Sequence, residues 1–101
     1  MAANSVYNHV SVEVSTTGTA GNSTVNIKKI LWLKNTGNYS ILVNFDNSTL
    51  TAGASGCFTL EAKSQIIDLD INVGTIYYKT SSSNTSTLCL LGIPDNDVSG
   101  Y

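Results

Sequence analysis

The chain holds one histidine, His9, and two cysteines, Cys57 and Cys89. A Ser–His–Asp or Cys–His centre would have to recruit His9, because imidazole is the side chain that takes up and returns a proton near neutral pH. His9 stands on the polar side of an alternating segment, where an exposed imidazole without a catalytic role is expected. The nearest approach to a nucleophile elbow is Gly53-Ala-Ser-Gly-Cys57. It has Cys where the motif needs its last Gly, and a strand rather than a helix is expected after it. Two thiols and one imidazole without a C-x-x-C pair are too few for a tetrahedral zinc site. Cys57 and Cys89 fall near the ends of different expected strands. A bridge between them would need an oxidising compartment. The opening MAANSVYNHV lacks the basic and apolar regions of a secretory signal, so cytosolic synthesis and buried free thiols are expected.

Two acidic features remain. Asp68 and Asp70 in IIDLDI are two apart on an expected strand and therefore share a face. Paired carboxylates serve acid–base chemistry or hold a hard cation. Here they read as the solvent side of a half-buried strand, with Ile67, Leu69 and Ile71 on the inner side. Asp95-Asn-Asp-Val-Ser-Gly100 opens like a calcium loop, but no Glu stands at the twelfth position and no helices are expected around it. Neither catalytic residues nor a metal or cofactor site are therefore expected, and an enzyme is the weakest functional class.

Composition narrows the rest. The 101 residues include five Lys, no Arg, and 12% charged residues, with a net charge of −2. Charged residues make up about 25% of an ordinary globular chain. Phosphate neutralisation therefore has little to work with, and no nucleic acid is expected as partner. No apolar run is long enough for a membrane-spanning helix, and no membrane partner is expected. Ser, Thr and Asn supply 36 residues, and 42% are hydrophobic, which places the chain among folded rather than disordered proteins.

Alternation and turn residues recur about every ten positions, the pattern of an all-β fold. Seven strands are expected: Val6–Val14, Val25–Lys34, Tyr39–Phe45, Cys57–Glu61, Ile66–Ile71, Thr75–Thr80 and Thr87–Ile93. Ser15–Thr24 reads as a loop, and Asn35–Asn38 as a tight turn in which Gly37 supplies a positive φ. The strands on either side of that turn form the expected hairpin. Four N-x-[ST] sequons, at Asn22, Asn38, Asn47 and Asn84, fall in expected turns. Lys28 and Lys34 share one side of their strand and Lys29 the other, so no three-charge patch is expected. Pro94 closes the last strand, because it has no N–H to give to a ladder. The whole is a single domain, an antiparallel β-sandwich of jelly-roll or immunoglobulin-like type, with a polar arm (Met1–Ser5) and tail (Pro94–Tyr101).

Strict alternation puts Val25, Ile27, Leu31 and Leu33 on one face, and Ile30 and Trp32 on the other. Adjacent Tyr77 and Tyr78 likewise point to opposite faces. A two-layer sandwich needs one apolar face per sheet. The surplus predicts outer surface covered by a loop, a neighbouring subunit or a partner, with Ile30, Trp32, Tyr77, Tyr78 and Tyr101 as contact residues.

The hairpin ILWLKNTGNYSILVNFD (Ile30–Asp46), the Gly-containing loop before Cys57–Glu61, the strand GTIYYKTSS and the final strand TLCLLGI resemble small virion β-sandwich proteins of tailed bacteriophages. That resemblance implies a non-enzymatic structural protein of the virion. Its most direct form is a capsid decoration (cement) subunit, and a neck, head–tail connector, tail or fibre component is the alternative. The implied partners are other virion proteins and further copies of the chain. A second functional class is a carbohydrate-binding module, which would present Trp32 or the tyrosine pair beside Asn and Asp.

Overall fold

The computed structural model describes residues 9–95. Its elements are seven strands: β1 (Val10–Thr16), β2 (Gly21–Asn35), β3 (Ile41–Phe45), β4 (Phe58–Leu60), β5 (Gln65–Leu69), β6 (Val73–Thr80) and β7 (Ser86–Pro94). All pairings are antiparallel, and no helix occurs among the described residues. The order is β1-β7-β2-β6-β3-β4, with β5 also on β2.

The 15-residue β2 is the key to this order. Its first half, through Ile27, pairs with β6, while Ile27 and residues 29–35 pair with β7 on one edge and residues 30–34 with β5 on the other. One strand thus serves two layers, β1-β7-β2-β5 and β2-β6-β3-β4. With β2 counted once in each, this is the eight-segment pairing of a jelly roll, the first of the two sandwich types the sequence suggested.

A strand can change layers only by bending, and bulges supply the bend. Against β7 the register of β2 shifts between Ile27 and Lys29 and again between Ile30 and Trp32. Asn26, at φ 48°, lies where the register against β6 also shifts. Each extra residue turns the strand's phase. Val25, Ile27, Ile30 and Leu33 all enter the core, at spacings of two and then three. Strict alternation fails here: Ile30 is 0% exposed, Leu31 is only half-buried, and Trp32 alone of the expected outer pair faces solvent.

β5 carries the matching irregularity. Asp68 has φ 54°, and Ile66 and Leu69 pack on the core while Ile67 is 60% exposed. Because both strands step at the same place, their register stays regular through Ile30↔Leu69, Trp32↔Ile67 and Leu33↔Ile66. Ile67 therefore lies outside, not on the inner side where alternation puts it.

The expected hairpin around residues 35–38 does not form. Both edges of β2 are already occupied there, by β7 at Asn35↔Leu88 and by β5 at Lys34↔Gln65, so β3 pairs instead with β4 and β6. Residues 36–40 cross from one layer to the other. Buried Asn35 holds the crossing: its Nδ2 donates to Tyr39 O at 2.7 Å and Leu60 O at 3.0 Å, and its Oδ1 accepts from Gly37 N at 3.0 Å and Ser86 Oγ at 2.7 Å. Gly37 is needed for space rather than for a positive φ, because a Cβ there would lie 1.9 Å from Ser86 Oγ.

Other boundaries move for similar reasons. The segment expected as a loop before Val25 is mostly strand: Gly21–Thr24 pair with Thr75–Tyr78. Tyr78 places its ring against Gly21, and its hydroxyl lies 2.7 Å from Ser23 Oγ. Asn22 consequently sits in a strand and not a turn. The core is built from β-branched and leucine side chains of both layers, including Ile27, Ile41, Val43, Ile76, Leu88 and Leu90, each at most 1% exposed.

Candidate functional site

The residues singled out for catalysis are not assembled. His9 is exposed, and it lines neither of the two grooves described below. Asp68 and Asp70 are strongly exposed, and Lys29 Nζ spans them at 3.7 and 3.9 Å. Cys57 and Cys89 are free; both are half-buried rather than buried. Among the described residues no three His, Cys, Asp or Glu side chains group as a metal site. Of the calcium-like run, only Asp95 is described; the rest of it, Tyr101 and the arm Met1–Ser5 lie outside the described residues.

The informative surfaces are the outer faces of the two layers. In the β2-β6-β3-β4 layer, β3 is buried on both sides. Ile41 and Val43 point into the core, while Leu42 and Asn44, 5% and 2% exposed, lie outside the core cluster and are still covered. The cover is the chain between β3 and β4. Leu50 is buried in it, and Asn44 Nδ2 donates to Thr49 O at 2.9 Å. Gly56 lies against the Asn44 side chain, at positive φ. Asp46, at φ 56°, fixes the start of this loop by accepting from Gly74 N and from Thr75 N, the latter at 2.8 Å. Tyr77 projects on this same outer face opposite Asn44 and is half-buried. Tyr78 is in the core, so its expected place as a contact residue is corrected, as is that of Ile30.

The β1-β7-β2-β5 layer has no such cover among the described residues. Leu88 and Leu90 point inward, so Cys89 and Leu91 point out. The register then aligns Leu91 of β7, Trp32 of β2 and Ile67 of β5 in one row across three strands. Beside this row runs a second: Glu13 of β1, Cys89, Lys34 and Gln65. Trp32 is 36% exposed, and Lys34 Nζ sits 4.3 Å from its ring centre, a cation–π contact that places the ammonium over part of the indole. Lys34 also shares a notch with Lys63, Ser64 and Gln65, and Lys63 Nζ donates to Thr36 O at 2.9 Å. Sequence alternation located Trp32. It could not locate Ile67, whose exposure depends on the step at Asp68.

A separate open groove of about 660 Å³ lies at the loop end of the sandwich. Thr17, Thr19, Ser82 and Ser83 supply hydroxyls, Leu42 and Leu50 the apolar floor, and Lys79 one cation. Thr80 Oγ1 shapes its rim, its one hydroxyl proton shared between Ser82 O at 2.6 Å and Asn84 O at 2.7 Å. No helix among the described residues is long and apolar enough to cross a membrane. Comparison of the chain with protein-family models, curated proteins and solved structures finds no match.

Proposed function

We propose that the chain is a non-enzymatic structural subunit of a virion, and specifically a decoration (cement) subunit of a phage head. The observation that carries this reading is the outward Leu91–Trp32–Ile67 row, over which no other described segment folds, on a sandwich whose core is built without it. Apolar area left over after the core is built is interface material, and Trp is among the residues enriched there. The jelly-roll pairing order is one that viral coat domains use, although lectins use it too. The sparse charge lets many copies crowd with little repulsion. The resemblance of Ile30–Ile93 to small phage virion proteins supplies the rest. Quantitative mass spectrometry of purified particles tests the proposal. Roughly hundreds of copies per particle are expected for decoration of a closed shell, whereas about a dozen would make the chain a connector component. Absence from the particle would overturn the reading.

The hydroxyl-lined groove favours a second reading, carbohydrate binding by the loop end of the sandwich. It predicts glycan-array signals that Ser82→Trp abolishes. The aromatic platform expected for this function is not formed, because Trp32 stands beside Lys34 and Ile67 and the two tyrosines part to opposite faces.

A further inference from the structure

We infer that the groove at the loop end of the sandwich takes an acidic sugar, a saccharide whose carboxylate is held by Lys79. The inference rests on the carbohydrate reading of this groove and adds the charge of the ligand. Three lysines of the chain are engaged elsewhere. Lys29 Nζ lies between Asp68 and Asp70, Lys34 Nζ over the Trp32 ring, and Lys63 Nζ on Thr36 O. The half-buried Lys79 has no ion-pair or hydrogen-bond partner for its ammonium among the described residues. Tyr78 and Thr80 on either side of it are buried inward, so Lys79 stands on the outer face, next to Leu42 in the register. None of the described residues that line the groove is acidic. Glu61, just past β4, is not among them and accepts from Ser40 Oγ at 3.1 Å.

The hydroxyls favour the same ligand. Asn84 N and Nδ2 both donate to Ser82 Oγ at 3.3 Å, and Thr19 N donates to Thr17 Oγ1 at 3.2 Å. A hydroxyl has one proton to give and two lone pairs to receive one. Both lone pairs of Ser82 are engaged, so it meets a ligand as a donor, and an ammonium can only donate. The groove therefore offers donors to a ligand rich in acceptors. A carboxylate is such a group, and its charge-assisted bonds are stronger than those of a neutral hydroxyl. The walls are tied in place: Thr80 N donates to Thr17 O at 2.7 Å, and a Cβ on Gly18 would lie 2.8 Å from Ser82 O. Leu42 and Leu50 form a floor for the C–H face of a sugar ring, which an inorganic anion would leave bare.

Titration of the isotope-labelled full chain, followed by amide chemical shifts, tests it. The probes are trigalacturonic acid and sialyllactose, each beside its methyl ester, which removes the charge and keeps the hydroxyls. At least one acid should shift the amides of Lys79 and residues 81–83 and bind about tenfold tighter than its ester, the worth of one charge-assisted hydrogen bond. High salt should narrow that ratio. Lys79→Met, which keeps the apolar stem, should abolish the preference, Lys79→Arg should retain it, and Lys63→Met should leave it intact. Should Lys79→Met fail to fold, the acid-to-ester ratio of the natural chain and its salt dependence carry the test. Acid and ester bound equally, or an acid preference that survives Lys79→Met, would overturn the inference and leave the carbohydrate reading standing. No groove shifts with any of the four probes would overturn both.

Discussion

The two layers of this sandwich solve the same problem in opposite ways. Each has an outer face carrying more apolar area than a solvent face needs. In the β2-β6-β3-β4 layer the chain covers that area itself: Leu50 and Thr49 lie on the outer side of β3, and Leu42 and Asn44 are buried beneath. In the β1-β7-β2-β5 layer the corresponding row, Leu91–Trp32–Ile67, has no cover from the described chain. Surplus apolar character in a strand thus has two meanings, and only tertiary structure separates them. One set of side chains is a second, minor core, and the other is a surface that the described residues leave open.

This contrast predicts how variants in the two layers behave. The largest effects belong to the covered face. Leu42→Ala and Leu50→Ala should each cost about 2–4 kcal/mol, the range for leucines removed from a packed site, read as a fall in the urea midpoint at constant slope. A cost well under 1 kcal/mol for both would mean that the loop is a loose flap and the contrast is false. Asn44→Ala should cost about 1–3 kcal/mol, because Thr49 O loses its donor in a partly buried place. The same variant should be nicked faster by protease within residues 46–57, since the loop loses a tether. A smaller effect of opposite sign is expected in the uncovered layer. Thr16 Oγ1 is buried there without a hydrogen-bond partner among the described residues. Thr16→Val removes that unsatisfied group at nearly constant shape and should raise stability by about 1 kcal/mol, seen as a higher Tm.

Much of the fold was legible in the sequence, for an identifiable reason. Strand content follows from β-branched residues alternating between Gly, Asn, Ser and Thr turns, and all seven expected strands exist with shifted ends. Partner choice was not legible. The Asn35–Asn38 turn reads as a local hairpin, yet both edges of β2 were taken by strands distant in sequence. Phase was legible only as far as the first bulge. Asn26 and Asp68 are two of the few residue types that enter positive φ cheaply, but nothing in their neighbourhoods marks them as bulges rather than ordinary exposed polar positions. From the phase error came the site error. Ile30 and Trp32 look equivalent in a straight strand, whereas the bulges send one inward and leave the other outside. Tyr77 and Tyr78 needed no such correction to their directions, since β6 is regular through them. What the sequence lacked was which face of β6 the core would claim.

The measurement closest to the centre of this account compares Ile30→Asp with Trp32→Asp by thermal unfolding. A straight strand makes the two positions equivalent, and a bulged one makes them opposites. Ile30→Asp, which buries an unpaired charge, is expected to abolish the cooperative transition, while Trp32→Asp keeps it with Tm lowered by no more than about 8 °C. Equal effects at the two positions, or the larger effect at Trp32, would contradict the bulged geometry.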